Sequence, residues 1–443
     1  MTEAVRKQPE LSGFALVMSA WHDPAARIFN IDLVSVLIAI LLPWSTTGVV
    51  IAVGLWLVAL VPTIKVGALL RSLKRPISVL PIAMFALALA GTLWSDAPWS
   101  ERLYAVGPTA KLLVLPLLLY HCERSSRGLW VFGAFLASCA LLMAGSWLVD
   151  FVPDLSLKPY LSRGPFNPVN GIVVKNYIDQ GQEFTLCAAA LAYPVMTLLR
   201  ANKIGLAVLL AAVALSFVGN MLFVIVSRTA LLTMPIMLAV FALLHLRLRT
   251  AIAALCAAAV LAVMVWNLSP HLRSTVSKFF TDYQHTAIQN NETGIGSRLI
   301  YWQKSLRFFA EAPVIGHGTG SARGLFEQAA IGEIGARAQV VTNPHNQTLN
   351  VAVQWGVVGI AVLYALWLAH LLLFRGEGLA TWIGLLVVVQ NVFTSLFNSH
   401  LFDFQEGWMY VLGVGVAGGM VLRARRDDGG KTGPEVNGRA RDG

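Results

Sequence analysis

Residues 204–246 read IGLAVLLAAVALSFVGNMLFVIVSRTALLTMPIMLAVFALLHL, two apolar runs that meet at Ser227 and Arg228. Apart from Arg228, the stretch contains no acidic residue, lysine or arginine. A charged side chain at the centre of a bilayer costs at least ~2.5–3.5 kcal/mol, and a helix needs about 20 apolar residues to cross the hydrocarbon core. The stretch therefore predicts two membrane-spanning helices joined by a tight turn that carries one arginine.

The whole chain has the composition of a membrane protein. Of its 443 residues, 56% are hydrophobic and only 13% are charged, whereas soluble domains are about 45–50% apolar and about 25% charged. The alternating pattern of barrel strands is absent from the sequence, so the spans are predicted to be helices. A formal net charge of +10 would suit nucleic acid, but most basic residues lie in short loops between apolar runs. We therefore expect membrane lipids, and no nucleic acid, as partners.

Twelve apolar runs are candidate transmembrane helices, which makes the protein an all-α polytopic membrane protein. Lysines or arginines follow every even-numbered run, and the positive-inside rule assigns such loops to the cytoplasm. Both termini are therefore predicted to be cytoplasmic, with the loops 95–107, 152–182, 268–347 and 398–406 on the outer side. The runs cover 29–44, 47–64, 77–94, 108–121, 129–151, 183–199, 204–226, 229–246, 250–267, 348–373, 379–397 and 407–422.

This topology divides the chain into five parts. The longest outer loop has about eighty residues, several times more than an ordinary connection, and such loops are usually functional. The predicted parts are a cytoplasmic N-terminal segment at 1–28, nine transmembrane helices within 29–267, the large outer loop at 268–347, three transmembrane helices within 348–422 and a disordered cytoplasmic tail at 423–443.

Two arginines at the outer face are candidate anion ligands. Arg228 lies between two spans, where an ionisable residue usually faces a cavity or a partner; the alternative is an arginine that extends to the lipid headgroups. Arg298 falls in the first turn of a predicted amphipathic helix capped by Ser297, where the helix dipole favours an anion; the alternative is a solvated surface residue. The apolar residues that predict this helix are Leu299, Trp302, Leu306 and Phe309.

His345 is the candidate general base. It lies at the outer face just before a span, and histidine exchanges protons near neutral pH. Asn346, Asn350 and Gln354 follow at helical spacing and form a polar stripe, which in a bilayer must face the other helices. The alternative is a histidine that caps the helix above a packing stripe.

Several positions give weaker indications. Lys175 and Asp403, near the outer ends of spans, are candidate substrate contacts, as is Asn346. The segment GHGTG at 316–320 could form an anion-binding nest, although an ordinary turn is the simpler interpretation. The sequence has no metal-ligand spacing, Walker loop or serine elbow. We therefore expect neither a metal nor another cofactor.

Three segments, taken in order, resemble the O-antigen ligases. They are SRTALL at 227–232, GSRLIYWQKSLRFFAEAPVIGHGTG at 296–320 and NPHNQTLNVAVQWGVVG at 343–359, and the resemblance covers about residues 210–400. The superfamily also includes O-antigen polymerases and protein O-oligosaccharyltransferases. The resemblance implies a GT-C-like membrane glycosyltransferase of the inner membrane whose active site and large loop, with its amphipathic helices, face the periplasm.

The resemblance also implies substrates and roles. The donor would be a glycan on undecaprenyl diphosphate, and a ligase would pass it to the lipid A-core oligosaccharide. His345 matches the catalytic histidine, and Arg228 and Arg298 match two arginines that contact the diphosphate. His345 and Asn346, with Gly356 and Gly359, match the ligase-type pattern H-[NSQ]-x9-G-x-x-G.

The chemistry of these residue types agrees with that assignment. Two arginines can neutralise a diphosphate leaving group without a metal, and a base can activate an acceptor hydroxyl for attack from the opposite face. The sequence therefore predicts an inverting, metal-independent transfer. The alternatives are a polymerase or protein O-oligosaccharyltransferase of the same superfamily and, from another class, a transporter or flippase of lipid-linked glycans.

Overall fold

The structure, a computed structural model, describes residues 23–152, 171–225, 227–270, 272–274, 276–278, 281, 294 and 296–431. Short 3-10 helices lie at Val61–Thr63, Gly91–Leu93 and Lys111–Leu113, each directly after an α-helix. The α-helices are α1 (Pro24–Leu41), α2 (Thr46–Leu60), α3 (Val66–Leu73), α4 (Pro76–Ala90), α5 (Trp99–Ala110), α6 (Val114–Cys122), α7 (Gly128–Phe151), α8 (Tyr177–Arg200), α9 (Ile204–Phe223), α10 (Arg228–His245), α11 (Leu248–Leu268), α12 (Gly296–Glu311), α13 (Ala322–Gln328), α14 (Gln347–Leu373), α15 (Leu379–Thr394) and α16 (Phe404–Lys431).

The prediction of an all-α polytopic membrane protein is confirmed. Within the described residues, eleven helical segments are long and apolar enough to cross a membrane, and α15 is a shorter apolar helix. Together they correspond one by one to the twelve predicted spans. The connection between the two runs of 204–246 lies earlier and is longer than predicted, because α9 ends at Phe223 and α10 begins at Arg228. Arg228 is therefore the first residue of a helix and not part of the turn.

The fourth span is longer than predicted. It was placed at 108–121, but the helical segment begins at Trp99 and runs through α5, a 3-10 turn and α6 to Cys122. The polar residues near Trp99 concealed its start in the hydropathy pattern. Lys111 lies buried within the span because its Nζ atom donates hydrogen bonds to the backbone oxygens of Phe402, at 2.8 Å, and Asp403.

The first and last helices of the bundle also have bounds that differ from the prediction. The C-terminal region from 423 was predicted to be disordered, but α16 continues to Lys431. Arg425 stabilises this extension by donating a 2.8 Å hydrogen bond to the Leu373 oxygen. At the other end, α1 begins at Pro24, inside the segment predicted as non-membrane, and Asp23 caps it. The rest of both predicted terminal segments, 1–22 and 432–443, lies outside the described residues.

Most of α16 is buried, and it packs closely on α6 because glycines leave room. A Cβ atom on Gly415 would lie 2.6 Å from the Cβ of Leu118, and one on Gly419 would lie 2.4 Å from the Cβ of Cys122. Small residues let membrane helices approach each other in this way. The middle of α16 is therefore held closely against α6.

The helix α14 is broken near its outer end, and the large outer loop docks onto the break. Gly356 has φ 59° and ψ −153°, a conformation that side chains other than glycine rarely adopt. Two amides beyond the break donate to loop carbonyls, Val357 to Pro313 at 2.8 Å and Val358 to Val314 at 3.2 Å. A Cβ on Gly356 would lie 2.4 Å from the Val314 carbonyl carbon. The break thus fixes the loop, and with it α12, over the start of α14.

The predicted amphipathic helix of the loop exists as α12, but its buried face differs from the prediction. Leu299 and Leu306 are 39% and 56% exposed, whereas the buried residues are Gly296, Ser297, Tyr301, Ser305 and Phe308. The helix also begins one residue before Ser297, which is therefore inside the helix and not its cap. The shift has a physical cause: α12 packs on α14 through its tyrosine and phenylalanine.

Candidate active site

The two arginines predicted to bind an anion lie at the starts of two helices. Arg228 is the first residue of α10, whose N-cap is Ser227, and Arg298 is in the first turn of α12. Both side chains are half-buried. Burial lowers the pKa of Arg298, the charges of Tyr177 and Tyr301 oppose this, and the positive charge of Arg228 lowers it further. The two guanidinium groups are therefore close enough to interact, although 70 positions separate them in the sequence.

His345 is held in an unusual backbone conformation just before α14. Its φ is +54°, in the left-handed region, which costs a non-glycine residue roughly 1–2 kcal/mol. Its backbone N–H donates to Asn343 Oδ1 at 2.9 Å, and its ring Nδ1 donates to Asn398 Oδ1 at 2.7 Å. Because Nδ1 carries the proton, the basic lone pair of the neutral imidazole is on Nε2.

The electrostatics of His345 suit a base. Burial lowers the pKa of the imidazole, the hydrogen bond to Asn398 opposes this, and the positive charge of Arg298 lowers it further. The ring is therefore neutral at neutral pH and able to accept a proton. Tyr301, on the turn of α12 after Arg298, has its ring centroid 6.3 Å from that of His345. The histidine thus lies beside the arginine pair.

The polar stripe of α14 faces the interior, as predicted, and forms a network beneath His345. Asn350 and Gln354 are both 6% exposed. Gln354 Nε2 donates to Asn350 Oδ1 at 2.9 Å, and Asn350 Nδ2 donates to Ser399 Oγ at 3.2 Å. Ser399 Oγ in turn donates to Asn343 Oδ1 at 2.7 Å, the same atom that accepts from His345. The network ties the histidine backbone to the loop before α16.

Asn346 has a structural role in the same region. Its Oδ1 caps α14 by accepting from Leu349 N at 3.0 Å, and its Nδ2 donates to the Leu396 oxygen at 3.1 Å. Both ends of the amide are thus engaged by the protein. The predicted contact of Asn346 with a substrate stays a prediction.

The GHGTG segment is a turn and not an anion-binding nest. All five of its backbone N–H groups donate to protein oxygens, including Gly318 to the Gln354 carbonyl and Gly320 to Gln354 Oε1, each at 2.9 Å. Gly316 lies so close to α14 that a Cβ would be 2.4 Å from the Gln354 carbonyl carbon. The segment serves to lock the outer loop against α14.

Residues 210–364 match the family model described as O-antigen ligase. This part of the chain is an O-antigen ligase domain. The match contains Arg228, Arg298 and His345 and runs from within α9 into α14. It covers about a third of the chain and supports an assignment to the O-antigen ligase and polymerase superfamily, which implies a GT-C-like fold. The described residues form an all-α polytopic membrane protein. No curated protein matches the chain.

Lys175 lies outside the ligase domain match, and the structure engages it with protein groups. Its Nζ donates to the Leu42 oxygen and to Gln405 Oε1, and Gln405 also donates to Glu183. Burial lowers the pKa of Lys175, and Glu183 is the foremost of the acidic groups that oppose this. A phosphate at Lys175 would have to replace these contacts, so its predicted role in binding stays a prediction.

Asp403 also lies outside the match, and its carboxyl group is close to the buried His400. Burial raises its pKa to about 7, with Lys111 acting in the opposite sense and Asp179 adding to the rise. His400 and Glu406 are its neighbours, with His400 Nε2 3.9 Å from Glu406 Oε1. Burial also lowers the pKa of His400 to about 3, and the charges of Arg298 and His345 add to this effect.

His400, Asp403 and Glu406 are residue types that can hold a metal ion. Their ligand atoms lie within 4.8 Å of one another, and His400 Nδ1 and Glu406 Oε1 are buried without a hydrogen-bond partner among the described residues. The nearby positive charges of Arg298 and Lys111 disfavour a cation there. The expectation that the site holds no metal is therefore best tested at these three residues.

Sequence reasoning missed the residues that orient the site. Asn343 and Asn398 hold the backbone and the ring of His345. Tyr301 contacts the His345 ring and interacts electrostatically with Arg298, and Glu406 is buried beside His400. Asn398 is 53 residues from His345, and such a pairing leaves no periodic pattern in one sequence. The only available signal was their position in segments predicted to lie at the outer face.

Proposed function

We propose that the protein transfers O-antigen polysaccharide from undecaprenyl diphosphate to the lipid A-core oligosaccharide at the periplasmic face of the inner membrane. One observation carries the proposal: Arg228 and Arg298 interact with each other beside His345, at the outer ends of membrane helices within the O-antigen ligase domain. A lipid-linked donor keeps its lipid in the bilayer and its diphosphate at this depth. Its glycan then projects into the periplasm.

The arginine pair supports a role in stabilising the leaving group. Each guanidinium can form two parallel hydrogen bonds with phosphate oxygens. Both arginines lie in the first turn of a helix, where free backbone N–H groups and the dipole add to the attraction for an anion. Two like charges held together and partly desolvated gain most from binding a diphosphate. We infer that this pair neutralises the diphosphate as it leaves.

His345 supports a role as general base. Nε2 would take the proton from an acceptor hydroxyl while that oxygen forms a bond to the anomeric carbon of the donor sugar. The bond from the anomeric carbon to the phosphate oxygen breaks, and undecaprenyl diphosphate leaves with the bonding electrons. Because attack comes from the face opposite the leaving group, the anomeric configuration inverts. No step of this proposal calls on a metal or another cofactor.

The lipopolysaccharide profile of a deletion strain tests the proposal. A ligase predicts loss of all O-antigen on the core together with accumulation of lipid-linked polymer. Core that carries a single repeat unit would instead identify a polymerase. A normal profile would contradict both assignments and direct attention to another acceptor, such as the protein of an O-oligosaccharyltransferase.

A further inference from the structure

A second cavity opens at the outer face of the bundle, next to the proposed site. Its volume is about 510 Å³, within the ~300–1,000 Å³ typical of small-molecule sites. It lies between α5, the GHGTG turn, the segment before His345 and the loop before α16. The residues that give it its chemistry are Glu101, Tyr104, Arg323, Asn343, Asn350 and Asp403.

The cavity adjoins His345 through Asn343. The Asn343 side chain lines the cavity, and its Oδ1 accepts from the His345 backbone N–H at 2.9 Å. Asn343 Oδ1 also accepts from Ser399 Oγ, so the amide is oriented by two hydrogen bonds at the edge of the cavity. Asp403 lines the cavity as well. A ligand held here would therefore lie next to the segment that carries the base.

The cavity is distinct from the place where the diphosphate is proposed to bind. Neither Arg228 nor Arg298 is among its described lining residues. A displacement reaction needs its two substrates on opposite sides of the reacting carbon, so the acceptor is expected to bind apart from the diphosphate. A cavity without the two arginines in its lining meets that requirement.

The lining favours an uncharged carbohydrate. Amide and carboxyl side chains offer donors and acceptors together, as the hydroxyl groups of a sugar require. Tyr104 is 80% exposed and presents a flat ring on which the apolar face of a sugar can lie. The charge of Arg323 is offset by Glu101 at 3.4 Å and Glu327 at 2.8 Å, so the cavity has no excess positive charge for a phosphate.

We propose that this cavity, lined by Tyr104, Asn343 and Asp403, binds uncharged sugars of the acceptor and directs a hydroxyl group towards His345. The proposal rests on the proposed function, because it assigns the acceptor side of that reaction. It specifies a glycan acceptor over a protein acceptor. If a peptide serves as the acceptor in place of a glycan, the proposal is wrong.

The test fills the cavity and compares it with a matched change outside it. Ala105 lines the cavity and is half-buried, whereas Leu103 on the same helix is 61% exposed and is not among the lining residues. We expect Ala105→Trp to raise the KM for purified lipid A-core about tenfold or more, equivalent to about 1.4 kcal/mol of binding. The KM for undecaprenyl-diphosphate-linked O-antigen should stay unchanged, and Leu103→Trp should change neither value.

A second pair of variants tests the aromatic ring without filling the cavity. Tyr104→Ala should raise the acceptor KM in the same direction, and Tyr104→Phe should retain most of the affinity because the ring remains. Binding of core oligosaccharide released from lipid A, measured directly on the purified full-length protein, should follow the same order. This binding measurement does not depend on turnover.

The outcomes separate this proposal from the proposed function. If the wild type transfers glycan but Ala105→Trp leaves the acceptor KM unchanged, or raises the donor KM in its place, the cavity is not the acceptor site and the function stands. If the wild type transfers to a serine-containing peptide and not to lipid A-core, the carbohydrate assignment is wrong. If no transfer occurs, the proposed function fails, and equal binding of core oligosaccharide to wild type and Ala105→Trp would overturn the cavity as well.

Discussion

Two regions of the bundle arrange their charged side chains differently: one brings like charges together and the other pairs opposite charges. Around Arg228 and Arg298, two half-buried cations interact with each other next to a neutral histidine. Around Glu183, by contrast, a buried carboxyl group accepts from Gln405, which also accepts from Lys175. Opposite charges and amides that satisfy one another stabilise a fold, whereas like charges held together repel each other. We therefore propose an anion as the ligand of the arginine region, whereas the contacts of Lys175 are with protein groups.

Removing the base should have the largest effect. His345→Ala should lower the rate of glycan transfer by about 10²–10⁴-fold, the usual contribution of a general base, while donor binding and the thermal unfolding temperature stay near wild type. A purified transfer assay with defined donor and acceptor measures this.

His317 provides a matched control for His345, because it lies in the same loop and its Nε2 contacts only the Phe308 oxygen, at 2.8 Å, among the described hydrogen bonds. His317→Ala should retain activity in the folded protein. Full transfer by His345→Ala would contradict the base assignment.

Removing either arginine should have the next largest effect. Arg228→Ala and Arg298→Ala should each lower kcat/KM for the diphosphate donor by about 10²–10³-fold, since each removes charge stabilisation at the leaving group. Steady-state kinetics with varied donor concentration measure this.

The control for the arginines is Arg307→Ala on α12, because that side chain is 78% exposed and pairs with Glu311 at 3.0 Å. It should leave donor kinetics unchanged. Donor kinetics of Arg298→Ala that equal those of Arg307→Ala would remove the distinction between the two charged regions.

The pH dependence of transfer should show a smaller effect. The base must be neutral, and burial lowers the pKa of His345 below its ordinary 6.5, so kcat/KM should rise with pH through an inflection below 6.5 and then level off. Because the hydrogen bond to Asn398 raises that pKa, Asn398→Ala should move the inflection to a lower pH as well as lower the plateau. A pH–rate profile of both proteins measures this, and an inflection that moves upward would contradict the tautomer assigned to His345.

The smallest expected effect is that of a chelator. EDTA should leave transfer unchanged, since the two arginines are proposed to neutralise the diphosphate. A different result would be loss of activity in EDTA that a divalent ion restores. If His400→Ala also abolished transfer, a metal would be placed at His400, Asp403 and Glu406. These three residues would then belong to the catalytic site, and the two arginines would not act alone on the diphosphate.

Much of the fold follows from the sequence because the demands of a bilayer are local. Each span is a run long enough to cross without charge, so twelve helices could be predicted in order. An error occurred where charges lie at the start of a span: Glu101 and Arg102 concealed the first turns of the fourth span, although the Arg102 side chain donates hydrogen bonds to the Ala97 and Thr92 oxygens. A hydropathy pattern does not show which hydrogen-bond partners, distant in sequence, a charged side chain will have.

The candidate site could be predicted only in part for a related reason. Arg228, Arg298 and His345 were recognisable because each is a polar residue at the outer end of an apolar run. Their mutual placement depends on the break at Gly356, which docks the loop and α12 over α14, and on the left-handed conformation of His345. Asn343 and Asn398 were missed because only this tertiary arrangement brings them to the histidine.

Direct binding of undecaprenyl diphosphate to the purified full-length protein tests the central claim most directly. Hydrogen bonds to charged groups contribute about 1.5–3 kcal/mol each, so Arg228→Ala and Arg298→Ala should each raise the Kd by about tenfold or more. His345→Ala and Arg307→Ala should bind as the wild type does. Equal Kd values for the wild type and the two alanine variants Arg228→Ala and Arg298→Ala would contradict the account, because the paired arginines would then not be the diphosphate site.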